Sequence, residues 1–322
     1  MPTTTNNILQ SQIWSGSLAL EIHLSASDCR TYDQSEPYLI HFPRLSYLAF
    51  LLPRLHAFFT PSLINPEVPP HDAWFTFEDV PLKWHHPLGL LYDLYSGAEP
   101  VDLDSAAETD DAASSKTSIS PPWKLTVHYS DYPEHQLLHL DPEGRTMHDT
   151  FINSVKEADF VRNGSARAVM GLSKEDSDNL WLAVQTQNLP LFTRTQHKLL
   201  HPPGLSLRHI PLKLYLPTSS SSLLPADPIP EDPSTTPSSS AHLRVVQSLI
   251  PLHIPGTKSP QTLGTALNKI LPTIFPSRRS PIYARVVLHG VALPLGVELQ
   301  GLMLNGGGFG DGWLHLGVVM HG

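Results

Sequence analysis

The chain has 322 residues, 32 prolines and one cysteine, Cys29, which excludes an internal disulfide framework and disfavours long uninterrupted helices. Apolar residues make up 40% and charged residues 16%, the balance of a globular protein with polar inserts, and the length calls for two or three domains. The formal charge of −9 is uneven: Glu99, Asp102, Asp104, Glu108, Asp110 and Asp111 sit in one acidic stretch, whereas Arg244, Lys258, Lys269, Arg278, Arg279 and Arg285 make the C-terminal part basic.

Residues from Met1 to Asn7 have neither the basic region nor the apolar run of a signal peptide. The longest apolar stretch, Tyr47 to Phe59, is broken by Pro53, Arg54 and His56 and is too short to span a bilayer. A cytosolic, soluble protein is therefore expected, with the sequon Asn163-Gly164-Ser165 unglycosylated.

Leu18, Leu20, Ile22 and Leu24 alternate with polar neighbours, the period of a half-buried strand. A second strand is expected at Tyr38–Phe42, then an apolar helix from Leu45 to Phe59 interrupted by Pro53. Strands at Trp74–Phe77, Leu88–Tyr92 and Lys124–Tyr129 complete the set, around an acidic insert from Ser96 to Pro122. Between about Arg145 and His201 the alternation stops. There Phe151, Val155 and Ala158, then Leu180, Trp181 and Val184, recur at helical spacing, with Gly164 and Gly171 as breaks.

Alternation returns at Ile210, Leu212, Leu214 and Leu216, followed by a strand expected at Leu243–Ile254. Thr262 suits an N-cap for a helix carrying Leu263, Leu267, Ile270 and Leu271 on one stripe, and Pro272 ends it. Strands at Tyr283–Leu288 and Trp313–Val319 finish the chain. The order strand, strand, helix, strands occurs twice, which predicts an α+β protein with two β-grasp (ubiquitin-like) domains flanking a small helix-rich one. The acidic insert and a Ser/Pro/Thr tract at 217–241 carry too little apolar surface to offset the entropy of ordering, so both are expected to be mobile.

Catalytic patterns are sparse despite 18 histidines. There is no His-Glu-x-x-His, no cysteine pair and no Gly-x-Ser-x-Gly elbow. His85 and His86, if on a strand, point to opposite faces and cannot share a metal. The run Asn305–Gly312 precedes no helix that could present a dipole to phosphate and reads as a floppy connection between strands. Cys29, beside Arg30, is the sole thiol nucleophile a hydrolase could use, although a lone loop cysteine is more often inert. Gly322 raises the idea of a ubiquitin-like modifier, but Met320 and His321 alone separate it from an apolar strand, too short a tail to enter an enzyme cleft.

The block Val80-Pro81-Leu82-Lys83-Trp84-His85-His86-Pro87-Leu88-Gly89-Leu90-Leu91-Tyr92-Asp93 combines a turn, aromatics and an apolar run with no evident chemistry, a core-and-junction signature. With Phe151-Ile152-Asn153-Ser154-Val155-Lys156-Glu157-Ala158-Asp159 it resembles the autophagy protein 5 family. Ile13-Trp14-Ser15-Gly16 is similar to the family's opening Trp-x-Gly strand, Trp123–Tyr129 to the strand after the first insert, and Arg208–Tyr215 to the strand opening its second ubiquitin-like domain. The resemblance implies an N-terminal segment 1–10, a first ubiquitin-like domain 11–141 containing the insert 96–122, a helix-rich domain 142–203 and a second ubiquitin-like domain 204–322 containing the insert 217–241. It also implies a scaffold without catalytic residues, cofactor or nucleic-acid partner. Lys156 would accept the C-terminal glycine of autophagy protein 12 through an isopeptide bond, delivered by the conjugating enzymes of that system. The conjugate would bind the N-terminal helix of autophagy protein 16 and promote lipidation of autophagy protein 8, in the cytoplasm and peripherally at the phagophore membrane. Glu157 and Asp159 are expected to stabilise the Lys156 ammonium, so activation would come from the enzyme. A non-covalent adaptor that binds the partner helix unmodified is the alternative.

Overall fold

Strand β1 (Ser17–Leu24) turns Leu18, Leu20, Ile22 and Leu24 inward, as their alternation predicts. The computed structural model describes residues 3–31, 35–102, 121–200, 204, 206–218 and 242–321. Ahead of β1 lies helix α1 (Thr3–Ser15), which takes in Ile13-Trp14-Ser15, where the resemblance implied an opening strand. Trp14 explains the difference: its ring packs 4.6 Å from Phe192 in the helical region, and Gln10 donates to the Gln196 side-chain oxygen at 3.0 Å. A helix carries those side chains away from the first sheet; a strand continuing β1 would keep them on it.

The first sheet comprises β1, β2 (Tyr38–Pro43), β3 (Trp74–Phe77), β4 (Val80–Pro81) and β6 (Trp123–His128) in the order β2-β1-β6-β3-β4. The two central strands, β1 and β6, run parallel, with Leu20 opposite Trp123. A 3₁₀ turn at Leu48–Leu51 leads into α2 (Leu52–Phe59), which lays Leu52, Leu55 and Phe59 on the sheet. Pro53 stands at the start of this helix, where a missing N–H costs nothing, so it begins α2 instead of interrupting it.

The expected strand Leu88–Tyr92 is helix α3 (Leu88–Tyr95). A short apolar run has no period that separates a buried strand from a buried helix, and Leu88, Gly89, Leu90 and Leu91 are all buried. Helix α3 packs against the far sheet of the molecule, where a Cβ on Gly317 would come 3.2 Å from Leu94. The strand β5 (Val101–Asp102), inside the stretch expected to be mobile, pairs in parallel with that same far sheet. The rest of the acidic insert, 103–120, lies outside the described residues, as does 219–241 of the Ser/Pro/Thr tract.

Helices α4 (Arg145–Asn163), α5 (Arg167–Met170), α6 (Lys174–Thr186) and α7 (Leu189–Leu200) form the middle region. Gly164 ends α4 in the left-handed conformation at φ 74°. Asn163 of the sequon is buried and donates to Asp159 at 2.7 Å.

A short ladder joins β7 (His209–Ile210) to β10 (Ile250–Pro251). The second large sheet contains β8 (Leu212–Thr218), β9 (His242–Gln247), β11 (Ala284–Leu288), β12 (Val291–Ala292) and β13 (Leu314–Met320), ordered β5-β12-β11-β13-β8-β9. Removing the added β5 leaves the strand order of the first sheet, again with the first and last strands parallel at the centre. Helix α8 (Leu263–Ile270) crosses it, opened by a Thr262–Thr265 capping box as the sequence suggests. Short helix α9 (Leu299–Leu302) runs into a wide turn at Met303–Gly307 against which α1 packs. Two β-grasp units thus flank a helical bundle, the predicted architecture.

Candidate functional site

Helix α4 is the element on which the three regions meet. The Asp141 carboxylate takes the N–H groups of Arg145 and Thr146 at 2.9 and 2.7 Å and so organises its first turn. Met147, Phe151, Val155, Ala158 and Arg162 recur along one face and are buried. Lys156 lies on the opposite, exposed face.

Its acidic neighbours do not behave as the sequence suggests. Asp159 is fully buried and accepts bonds from Asn163 at 2.7 Å and from the Val169 N–H at 3.0 Å. Glu157 reaches the other way, to the Lys213 ammonium at 3.5 Å. Among the described residues no carboxylate pairs with Lys156. Glu157, the next residue, diverges by about 100° around the helix, whereas Asp159, at the i+3 spacing that could reach Lys156, is instead buried and taken by Asn163 and the Val169 N–H.

The buried side of α4 carries a polar network that sequence reasoning missed. Ser154 donates to Asp311 at 2.7 Å, and the His315 Nε2 lies 3.0 Å from the same carboxylate. The Tyr215 hydroxyl meets His315 Nδ1 at 2.8 Å, and the Trp313 indole donates to the Ser154 carbonyl at 2.9 Å. Burial would raise the Asp311 carboxyl, but the His315 charge and the bonds from His315 and Ser154 bring it down to about 2. Burial and the Asp311 charge push the Tyr215 hydroxyl well up. These bonds tie Ser154 of α4 to Asp311, Trp313 and His315 of the second domain and so orient the junction between them. Tyr215 and His315 are 100 residues apart in sequence, and although their strands were legible, nothing in the sequence showed that these two side chains meet.

A cavity of about 360 Å³ opens beside this network, bounded by His85, His86, Phe151, Glu157, Lys213 and Tyr215. The two histidines are in a turn, not on a strand, and their rings are 4.4 Å apart on the same cavity, so the expectation of opposite faces is overturned. No group of three or more metal-ligating side chains gathers among the described residues. Burial, then the Lys83 charge, lowers His85 to about 4, and burial followed by His85 holds His86 well below its ordinary value.

The glycine-rich run is not a floppy connection. A Cβ on Gly310 would come 2.8 Å from Val184, and one on Gly312, at φ 83°, would come 2.7 Å from the Arg162 guanidinium. These glycines let the second sheet approach the helical bundle closely. Cys29 is half-buried, and its thiol is lowered by the Thr31 hydroxyl and backbone. His23 and His128 border the same open depression, but their rings bond Glu21 at 2.8 Å and Thr76 at 2.9 Å.

A second cavity, about 540 Å³ and largely apolar, lies between the first sheet domain and the bundle, with Phe50, Leu52, Pro70, Leu140, Met147 and Trp181 on its walls. Trp181 packs 5.6 Å from Phe50 and 5.1 Å from Phe151. Among the described residues no helix is long and apolar enough to cross a membrane.

Two ubiquitin-like folds joined directly through α3 and β5 and packed on a helical bundle, with an apolar cleft between the first domain and the bundle, define the class of this architecture. Family models agree on the particular group. That of autophagy protein ATG5, UblA domain, matches residues 13–129; its alpha-helical bundle region matches 144–202 and its UblB domain 209–318. Autophagy protein 5 of Phaeosphaeria nodorum is 51% identical over 316 residues, covering 98% of this chain and 97% of that protein. Autophagy protein 5 of Aspergillus fumigatus is 48% identical, covering 98% and 95%. The crystal structure of Kluyveromyces marxianus Atg5 superposes with a TM-score of 0.70 at 19% identity, covering 97% of this chain and 99% of that one, a likeness of fold. The chain belongs to the autophagy protein 5 family and has a role in autophagy.

Proposed function

We propose that this chain is the acceptor and scaffold of a ubiquitin-like conjugation system, with Lys156 receiving the C-terminal glycine of autophagy protein 12. The carrying observation is that Lys156 stands exposed on α4 without a carboxylate partner among the described residues, inside the family-like run Phe151–Asp159. Such an amine needs no broken ion pair before it attacks an acyl donor. The chain supplies no catalytic group of its own in this reading; the conjugating enzymes bring the activated acyl group. Domain limits of 11–141, 142–203 and 204–322 are proposed with it.

The N-terminal helix of autophagy protein 16 is assigned to the apolar cleft of Phe50, Leu140 and Trp181, where a helix could bury its apolar face. The assembly would then promote lipidation of autophagy protein 8. It would act in the cytoplasm with peripheral contact at the phagophore membrane, a contact supported by basic Arg278 and Arg279 beside exposed Ile282 and Tyr283 in the sequence. Lys156→Arg keeps the charge but cannot be acylated. In cells it should abolish the modifier-shifted band while the protein stays folded. A shifted band that persists in the variant refutes the assignment and favours another acceptor.

A further inference from the structure

On the exposed face of α4, the positions one turn to either side of Lys156 are Ile152, half-buried, and Phe160, which is 58% exposed. Both flanks are apolar, and the carboxylates next to the lysine in sequence are held elsewhere, Asp159 by Asn163 and Val169, Glu157 by Lys213. Phe160 has no evident structural duty to justify that exposure. It joins no ring pair or polar contact among the described residues, and its backbone carbonyl is already used by the Gly164 N–H at 2.8 Å.

We propose that Phe160 is a positioning residue for acyl transfer to Lys156, the apolar anchor that the thioester-bearing conjugating enzyme covers as it approaches α4. This rests on the acceptor role given to Lys156. Residues four apart on a helix have Cβ atoms about 6 Å apart. A donor whose acyl carbon reaches the Lys156 amine therefore arrives within one helical turn of the exposed Phe160 ring. The occupant is therefore the thioester-charged enzyme, which must bring that acyl carbon to the amine for transfer to occur.

Covering the Ile152–Lys156–Phe160 lane would do two things. The aromatic ring would contribute buried contact area at the centre of the footprint. Water would also leave the amine with no anion beside it to hold its proton, and desolvation without an opposite charge favours the neutral, nucleophilic form. In the transfer, the ammonium gives one proton to solvent before attack. The nitrogen–carbon bond then forms, the carbon–sulfur bond breaks, and the leaving thiolate takes up the second proton released by the nitrogen. One isopeptide bond replaces one thioester, with no oxidant or reductant.

The test uses the full-length chain with the conjugating enzyme pre-charged with its modifier, comparing wild type, Phe160→Ala, Phe160→Leu and Lys156→Arg. Phe160→Ala is expected to lower the second-order transfer rate by about tenfold, the effect of losing an interface aromatic. Its pH–rate midpoint should move to higher pH. Phe160→Leu should recover most of the rate, and the thermal midpoint of unfolding should stay that of wild type in both. Acetylation of Lys156 by a small acyl thioester, which needs no docking, should be equal in wild type and Phe160→Ala. If Lys156→Arg is inert while Phe160→Ala transfers at the wild-type rate and midpoint, the role of Phe160 is overturned and the acceptor role stands. If Lys156→Arg is conjugated like wild type, the acceptor role fails and this proposal with it.

Discussion

The Asp93 carboxylate accepts the backbone N–H of Gly290 at 2.9 Å, a single bond that joins helix α3 of the first ubiquitin-like domain to the β11–β12 turn of the second. Arg44 supplies its counter-charge through the same carboxylate, and both side chains are largely buried. A Cβ on Gly290 would lie 3.2 Å from the Arg44 guanidinium, so turn, acid and base are packed as one unit. The block Val80–Asp93 therefore does what its composition hinted: it builds one domain and fastens it to the other.

Breaking that fastening should be costly. Asp93→Ala leaves Arg44 buried without its partner and the Gly290 N–H without an acceptor, and is expected to lose about 3 kcal/mol in urea unfolding. Asp93→Asn can still accept from Gly290 and should lose visibly less. Equal losses in the two variants would show that the bond to the second domain contributes nothing.

Acid should loosen the three-way joint through its histidines. Burial lowers His85 to about 4 and holds His86 well below its ordinary value. Between about pH 6.5 and 4 the unfolded chain therefore binds protons that the native one does not. Their stabilisation is complete above about pH 6.5 and declines as pH falls, by at most about 1.4 kcal/mol per pH unit for each histidine. His86→Phe, which can keep the edge contact with Tyr215, should flatten the profile measured by urea melts at stepped pH. An unchanged slope would mean that His86 is already charged in the native protein.

The close approach of the second sheet to the bundle is testable at Gly312. Alanine there must adopt a left-handed backbone at φ 83° and displace the buried Arg162 guanidinium, so Gly312→Ala should cost about 2 kcal/mol. Retention of the wild-type urea midpoint would contradict the packing described.

How much of this was legible beforehand varied with the physics of each element. Where one face is buried and the other wet, as in β1 or α8, alternation and helical spacing located the element and even its Thr262 cap. Where both faces are covered the period was lost, and Leu88–Tyr92 looked like a strand; the strands of Tyr215 and His315 were located, but a contact between side chains 100 residues apart carries no local signal. Lys156 was visible only through family resemblance. Its surroundings were misread because Glu157 and Asp159 leave the helix in other directions, one to Lys213 and the other into the core.

Partner binding should separate from conjugation. Leu140→Glu puts a charge into the apolar cleft beside Trp181 and is expected to weaken binding of a synthetic N-terminal helix of autophagy protein 16 by tenfold or more, roughly the loss of one hot-spot residue. Calorimetric titration reads the affinity, and conjugation at Lys156 should continue. Wild-type affinity would move the partner helix to another surface.

The acceptor assignment itself is tested most directly by peptide mapping of the conjugate formed from the full-length chain, its modifier, the activating and conjugating enzymes and ATP. The account predicts a branched peptide with the modifier's terminal glycine joined to the Lys156 amine, and no branch at the other eight lysines of the nine in the chain. A branch at any of those eight, or an unmodified chain under conditions where the enzyme is fully charged, would contradict it.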